Sequence, residues 1–326
     1  MPGRASPQGE ASPPGEASPH GLASRSGLAR IVPAPVLVLF STLSIALGSG
    51  YAVPLIDRVG AVPAVWLRIG LGSLVLAIVR PFWRSRVDRR AWRAAILLGV
   101  ALAVMNTSFY MAIGRIPLGV AVALEFCGPL ALGVLGSRRF LDLAWVALAG
   151  GGIFILTGGQ LGADDALGAD DALGVAFALT AGGFWAVYIV AGARLGRAWP
   201  DGRGLGAAMV VAAVLAAGPA IILGGSQMLQ AEVLFAGLVV ALLGSVIPYT
   251  LQMAALRSMT PGVFGVLMSL DPALSSVVGL LLLGQVLDPA EVAAIGMIVA
   301  ASAGVSLASR RRPDMAEELA FGTGGE

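Results

Sequence analysis

The sequence predicts an all-α integral membrane protein whose ten transmembrane helices form two inverted five-helix repeats. Three observations predict it. The chain has 326 residues, of which 57% are hydrophobic and only 12% charged. Apolar stretches of about twenty residues, the length that crosses a bilayer as a helix, recur along it. A weak internal repeat relates its two halves. A soluble domain keeps its surface wet and does not reach a mean hydropathy of +0.86.

Residues 1–30 read as a disordered tail, with Ala-Ser-Pro recurring at Ala5, Ala11 and Ala17. No apolar stretch in it suggests a cleaved signal peptide. Helices are then expected near 33–52, 63–80, 93–112, 117–136 and 141–158, which make the first repeat within 31–158. An acidic external loop follows at 159–171, where GADDAL occurs at 162–167 and again at 168–173. Its aspartates mark a solvated segment, with a calcium loop as the alternative. The second repeat, 172–309, holds helices near 172–192, 205–224, 232–256, 261–283 and 289–309, before a tail at 310–326. The hydrophobicity lacks the period of two that barrel strands would show.

Arginine sets the orientation, because the chain has no lysine. Alternate loops carry Arg80, Arg84, Arg86, Arg89, Arg90 and Arg93, then Arg138 and Arg139, then Arg194, Arg197 and Arg203, then Arg257. Arg25, Arg30 and Arg310–Arg312 put both tails on that side. The opposite loops hold only Arg58 and Arg115, with Asp164, Asp165, Asp170, Asp171, Glu232, Asp288 and Glu291. The positive-inside rule makes both termini cytoplasmic. One register shift sets Gly119 on Gly262, Val120 on Val263, Leu124 on Leu267 and Pro129 on Pro272. An odd number of helices per repeat inverts the second copy. Inverted repeats with polar residues at mid-depth are a signature of transporters.

The polar residues at depth are few. Glu125 sits in the middle of Pro117–Gly136, where a carboxylate costs roughly 2.5–3.5 kcal/mol unless it faces a cavity or a partner. Asp271 holds the same place in Gly262–Leu283. Glu125 can pair with a substrate ammonium group, carry a proton, or bond to a neighbouring helix as a protonated acid, while Asp271, standing before a proline, can also bond its own backbone. Arg68 is the one cation placed within a span; it either snorkels to the interface or partners a carboxylate of the protein or the carboxyl group of a substrate. Pro129 removes the amide that would bond the Glu125 carbonyl, Pro272 does so for Met268 and Pro248 for Gly244. Freed carbonyls at that depth are tolerated where they line a cavity. Asn106 and Tyr110 share a face of the third helix, and Tyr249 and Gln252 one of the eighth. Trp66, Trp83, Trp92, Trp145 and Trp199 near helix ends read as interfacial anchors. With one cysteine, Cys127, and one histidine, His20 in the tail, no disulfide, metal site or histidine-based catalysis is expected. No cofactor is expected either, and the basic pI is explained by topology rather than nucleic acid.

At IPLGVAVALEFCGPLALGVLGSRRF and PYTLQMAALRSMTPGVFGVLMSLDPAL the chain closely resembles the inner-membrane threonine/homoserine exporters. These belong to the drug/metabolite transporter superfamily, built of EamA-type domains. The likeness covers about 31–309. It implies a ten-helix inverted-repeat fold and a central cavity walled by helices three, four, eight and nine. It also implies efflux of small amino acids in exchange for protons. Glu125 and Asp271 are the acidic positions that carry over, although the exporters tend to have Glu where Asp271 stands. The chain also departs at Gln252 and Gln285, where relatives often carry Glu. Other small metabolites or cationic compounds remain rival cargoes, and a membrane scaffold or sensor is the rival outside transport. An enzyme would need a nucleophile–base pair or metal ligands at depth.

The topology is directly testable. With Cys127 replaced by Ser, a cysteine at Ser85 should react with an impermeant reagent only from the cytoplasm, and one at Ala166 only from outside. Labelling of the Ser85 position in sealed cells would reverse the assignment.

Overall fold

The computed structural model describes residues 32–135, 140–156, 169–199, 203–256, 264 and 267–309. The expectations for 1–30, for residues 162–168 of the GADDAL duplication and for 310–326 concern residues outside that set. The described residues are almost wholly helical, forming twelve α-helices. The first half holds α1 (Ala34–Val59), α2 (Ala61–Val79), α3 (Arg89–Ile113), α4 (Leu118–Glu125), α5 (Cys127–Leu135) and α6 (Phe140–Leu156). The second holds α7 (Ala169–Ala198), α8 (Gly204–Gly224), α9 (Ala231–Ala241), α10 (Ile247–Leu256), α11 (Asp271–Leu283) and α12 (Pro289–Ser309). Among the described residues, six helical segments are long and apolar enough to cross a membrane, and three further apolar helices are shorter.

Local chemistry explains most boundaries. Gly60 alone separates α1 from α2; its φ of +87° is a conformation that only glycine adopts cheaply. The α1 helix outruns the expected end at 52, passing Pro54 and carrying Arg58 in its last turn, where a cation complements the helix dipole. Asp88 caps α3 by accepting the Ala91 amide at 2.9 Å. The α7 helix begins at Ala169, inside the stretch expected as an acidic loop. Asp170 and Asp171 fall in its first turn, where carboxylates complement unpaired amides. Asp288 and Glu291 form a reciprocal capping box at the start of α12, with bonds of 2.8 and 2.9 Å. Gly284, at φ +66°, ends α11 and turns the chain so that the Gln285 amide bonds back to the Gly279 carbonyl at 3.1 Å.

The helices pair in a regular pattern. The α3 helix packs on α7 and α8, while α1 packs on α9, α10 and α11. In addition α2 lies on α8, α4 on α7 and α11, and α6 on α12. Large apolar side chains point outward from this bundle, with Ile222 82%, Leu281 74% and Ile78 70% exposed. Such a surface is stable against lipid tails and not against water. Inside, helices approach closely through small residues. A Cβ built on Gly48 would stand 2.7 Å from the Gly244 amide nitrogen.

Gln285 does more than close its own turn. Its Oε1 accepts the Leu118 amide at 3.0 Å, so the α11–α12 connection caps the first turn of α4. Gln285→Leu should therefore lower the melting temperature of the purified protein, through a loss of about 0.5–2 kcal/mol. An unchanged melting temperature would show that the cap contributes nothing.

Candidate functional site

The polar residues of five helices converge on one cavity of about 600 Å³. Arg68 enters from α2, Asn106 from α3, Glu125 from the end of α4, Tyr249 and Gln252 from α10, and Asp271 from the start of α11. Proline explains why three of these walls are irregular. Pro129 cannot donate to the Glu125 carbonyl, and the helix breaks at Phe126 between α4 and α5. Pro272 lies in the first turn of α11, the one place in a helix where a missing amide is harmless. Pro248 follows a π-helical turn at Leu242–Val246 that joins α9 to α10.

That turn holds Arg68. Nη2 donates to the Gly244 carbonyl at 2.6 Å and Nε to Ser245 Oγ at 3.1 Å. The carbonyl is available because residue 248 has no amide to offer it. Ser44 takes the neighbouring Leu243 carbonyl at 2.7 Å. A Cβ at Gly244 would lie 3.0 Å from Arg68 Nε, so glycine lets the guanidinium rest on the backbone. Tyr110 does not line the cavity; it lies fully buried beneath Arg68, whose guanidinium carbon is 5.5 Å from the ring centre. At 6% exposed, Arg68 does not snorkel.

The acids are held differently. Helices α4 and α11 pack together, which brings the C-terminal Glu125 and the N-terminal Asp271 to one level. Ser275 donates to Asp271 Oδ1 at 3.3 Å. Among the described residues, neither acid and not Arg68 has an ion-pair partner within 4.0 Å. Asn106 donates to the Leu102 carbonyl at 2.8 Å, a bond within its own helix. Gln252 lies 3.9 Å from the Met268 sulfur.

Sequence reasoning missed the contribution of α7, which lines the cavity with Trp185, Tyr188 and Gly192, and of Trp199 directly after its end. Trp185 was legible as the one tryptophan in the middle of an expected span. Its ring meets Phe126 edge-on at 4.7 Å. Trp199, expected as an interfacial anchor, is instead 1% exposed and packs edge-on against Trp92 at 5.5 Å. The fold turns it inward because α7 runs on to Ala198, past the expected end at 192.

The cavity reaches the connection between α7 and α8. From the level of the acids its lining runs toward the α7–α8 turn, to Trp199, Gly204 and Leu205. Elsewhere the two halves of the chain are linked directly. Arg58 pairs with Glu232 at 2.7 Å and donates to Gln230 at 3.0 Å, and Gln285 holds Leu118.

Residues 172–307 match the model of the EamA-like transporter family. The threonine/homoserine exporter RhtA of Escherichia coli (strain K12) is 38% identical over 283 residues, covering 86% of this chain and 94% of that protein. RhtA of Salmonella typhimurium (strain LT2) is 38% identical over 282 residues with the same coverage. A solved structure, described only as the crystal structure of a protein, superimposes with a TM-score of 0.54 at 20% identity. It covers 85% of this chain and 96% of its own, so the fold is shared.

One contact fixes where Glu125 stands. The Glu125 carbonyl lies against the backbone of Gly182 on α7, where a Cβ would come within 2.6 Å of the oxygen. Gly128 meets the Gly182 carbonyl on the other side of the break. Gly182→Val should cost about 1–3 kcal/mol and lower the yield of folded protein. Wild-type yield and melting temperature in that variant would mean the two helices separate freely.

Proposed function

Because the chain belongs to the threonine/homoserine exporter family of EamA-like transporters, we propose that it exports small amino acids of the threonine/homoserine kind from the cytoplasm in exchange for protons. It is a multi-pass membrane transporter and not an enzyme. The observation that carries the reading is that Glu125 and Asp271, one from each half of the chain, line one cavity inside the helix bundle.

On this reading the helices make ten crossings of the inner membrane, with α4–α5 and α9–α10 each one crossing. The pairing pattern supports two inverted repeats at 31–158 and 172–309. Contact of α3 with α7 is mirrored by α1 with α9 and α10, that of α3 with α8 by α2 with α9, and that of α4 with α7 by α1 with α11. Arginine asymmetry supports cytoplasmic termini. The α7–α8 turn then faces the cytoplasm, and the cavity is that of an inward-facing state.

Exchange follows if one carboxylate serves cargo and proton in turn. A site that releases one as it loads the other couples their gradients, because each biases the same conformational equilibrium. Glu125 is the residue proposed for this role, with Asp271 beside it. Flux of labelled threonine and homoserine in proteoliposomes, with and without an imposed pH gradient, tests the function. Glu125→Gln should fold normally and lose gradient-driven export. Equal gradient-driven export by variant and wild type would remove Glu125 from the mechanism.

A further inference from the structure

We infer that the cavity recognises its cargo as a zwitterion, with Arg68 receiving the carboxylate and Glu125 with Asp271 receiving the ammonium. The inference rests on the amino-acid export reading and assigns the polarity of binding within that same site.

Unlike charges share this cavity without forming a direct ion pair. A guanidinium and two carboxyl groups line the same space, yet among the described residues none has an ion-pair partner within 4.0 Å. In a membrane interior unlike charges that are free to meet pair with each other. Arg68 is not free to meet them. The Gly244 carbonyl and Ser245 Oγ hold two of its donors, and the Tyr110 ring lies under its plane. Neutral dipoles hold its geometry, so the guanidinium faces the cavity without a carboxylate in direct contact, with Glu125 acting on it only from a distance.

A guanidinium carries five N–H donors in a fixed fork, and the π turn occupies two of them. The remainder suit a carboxylate, which accepts two parallel bonds from such a fork. Proline at 248 makes this arrangement possible by leaving the Gly244 carbonyl without a helical donor. Arg68 is thus the binding residue and Pro248 its positioning residue. A cargo with both charges engages both ends of the site. A purely cationic compound satisfies the acids and leaves Arg68 without a carboxylate in direct contact, which disfavours it as cargo.

Calorimetric titration of the purified full-length protein with threonine, threoninamide and N-acetylthreonine tests the assignment. The amide removes the carboxylate and keeps the ammonium; the acetyl derivative does the reverse. Wild type should bind each analogue about 30-fold more weakly than threonine. Arg68→Gln should weaken threonine by about 30-fold and leave threoninamide unchanged. Pro248→Ala gives the Gly244 carbonyl a helical donor, releasing Arg68, and should weaken threonine about 5-fold with threoninamide again unchanged. Equal affinity of wild type for threonine and threoninamide would overturn the assignment, and that comparison needs no variant to fold. So would an Arg68→Gln protein that loses both ligands equally, since a structural role predicts that result. If threonine is exported but threoninamide binds as well, only the polarity fails. If wild type neither binds nor transports threonine or homoserine, the export reading fails with it.

Discussion

A backbone carbonyl freed inside a membrane has no water to turn to, and the Gly244 carbonyl finds Arg68. This one bond joins α2 to the α9–α10 span at the level of the cavity. It depends on Pro248 for the vacancy, on Gly244 for the approach, and on Gly48 for the closeness of α1 behind it. Each of these residues is ordinary alone. Together they keep a cation at depth without a carboxylate, which leaves its charge available to something that enters.

The same economy recurs at the other breaks. Pro129 interrupts α4–α5 beside Glu125, and Pro272 opens α11 beside Asp271. In each case the helix changes course where a polar side chain turns inward. The wall of the cavity therefore combines these interrupted helices, which carry the acids, with unbroken ones such as α2, α3 and α7. Irregular backbone is confined to the protein interior, where neighbouring helices satisfy it.

Much of this was legible in the sequence, since charge is so expensive in lipid that Glu125, Asp271 and Arg68 stand out against an apolar background. The three prolines were legible because the lost amide can be counted four residues back. Helix ends were less so: α1 and α7 both outrun their expected limits, because tertiary packing carries a helix past a proline or a charged turn. Tyr110 was read as a site residue from its face, but depth along α3 puts it under Arg68 and outside the cavity. Nothing in the spacing said that α7 would line the cavity. Which apolar face of a membrane helix turns inward is set by its neighbours, and lipid and protein interior favour the same residue types.

The contact among Glu125, Gly128 and Gly182 has a consequence for how this chain tolerates change. Side chains on its outer surface can exchange freely among apolar types, because lipid adapts to their shape. The depth of Glu125 is fixed otherwise, by main chain resting on main chain. No second substitution can make room for a larger residue at Gly128 or Gly182, since the partner on each side is already backbone. Tolerance on the outside and intolerance at this pair are two sides of one design: the acid is registered by the part of the chain that mutation cannot trim.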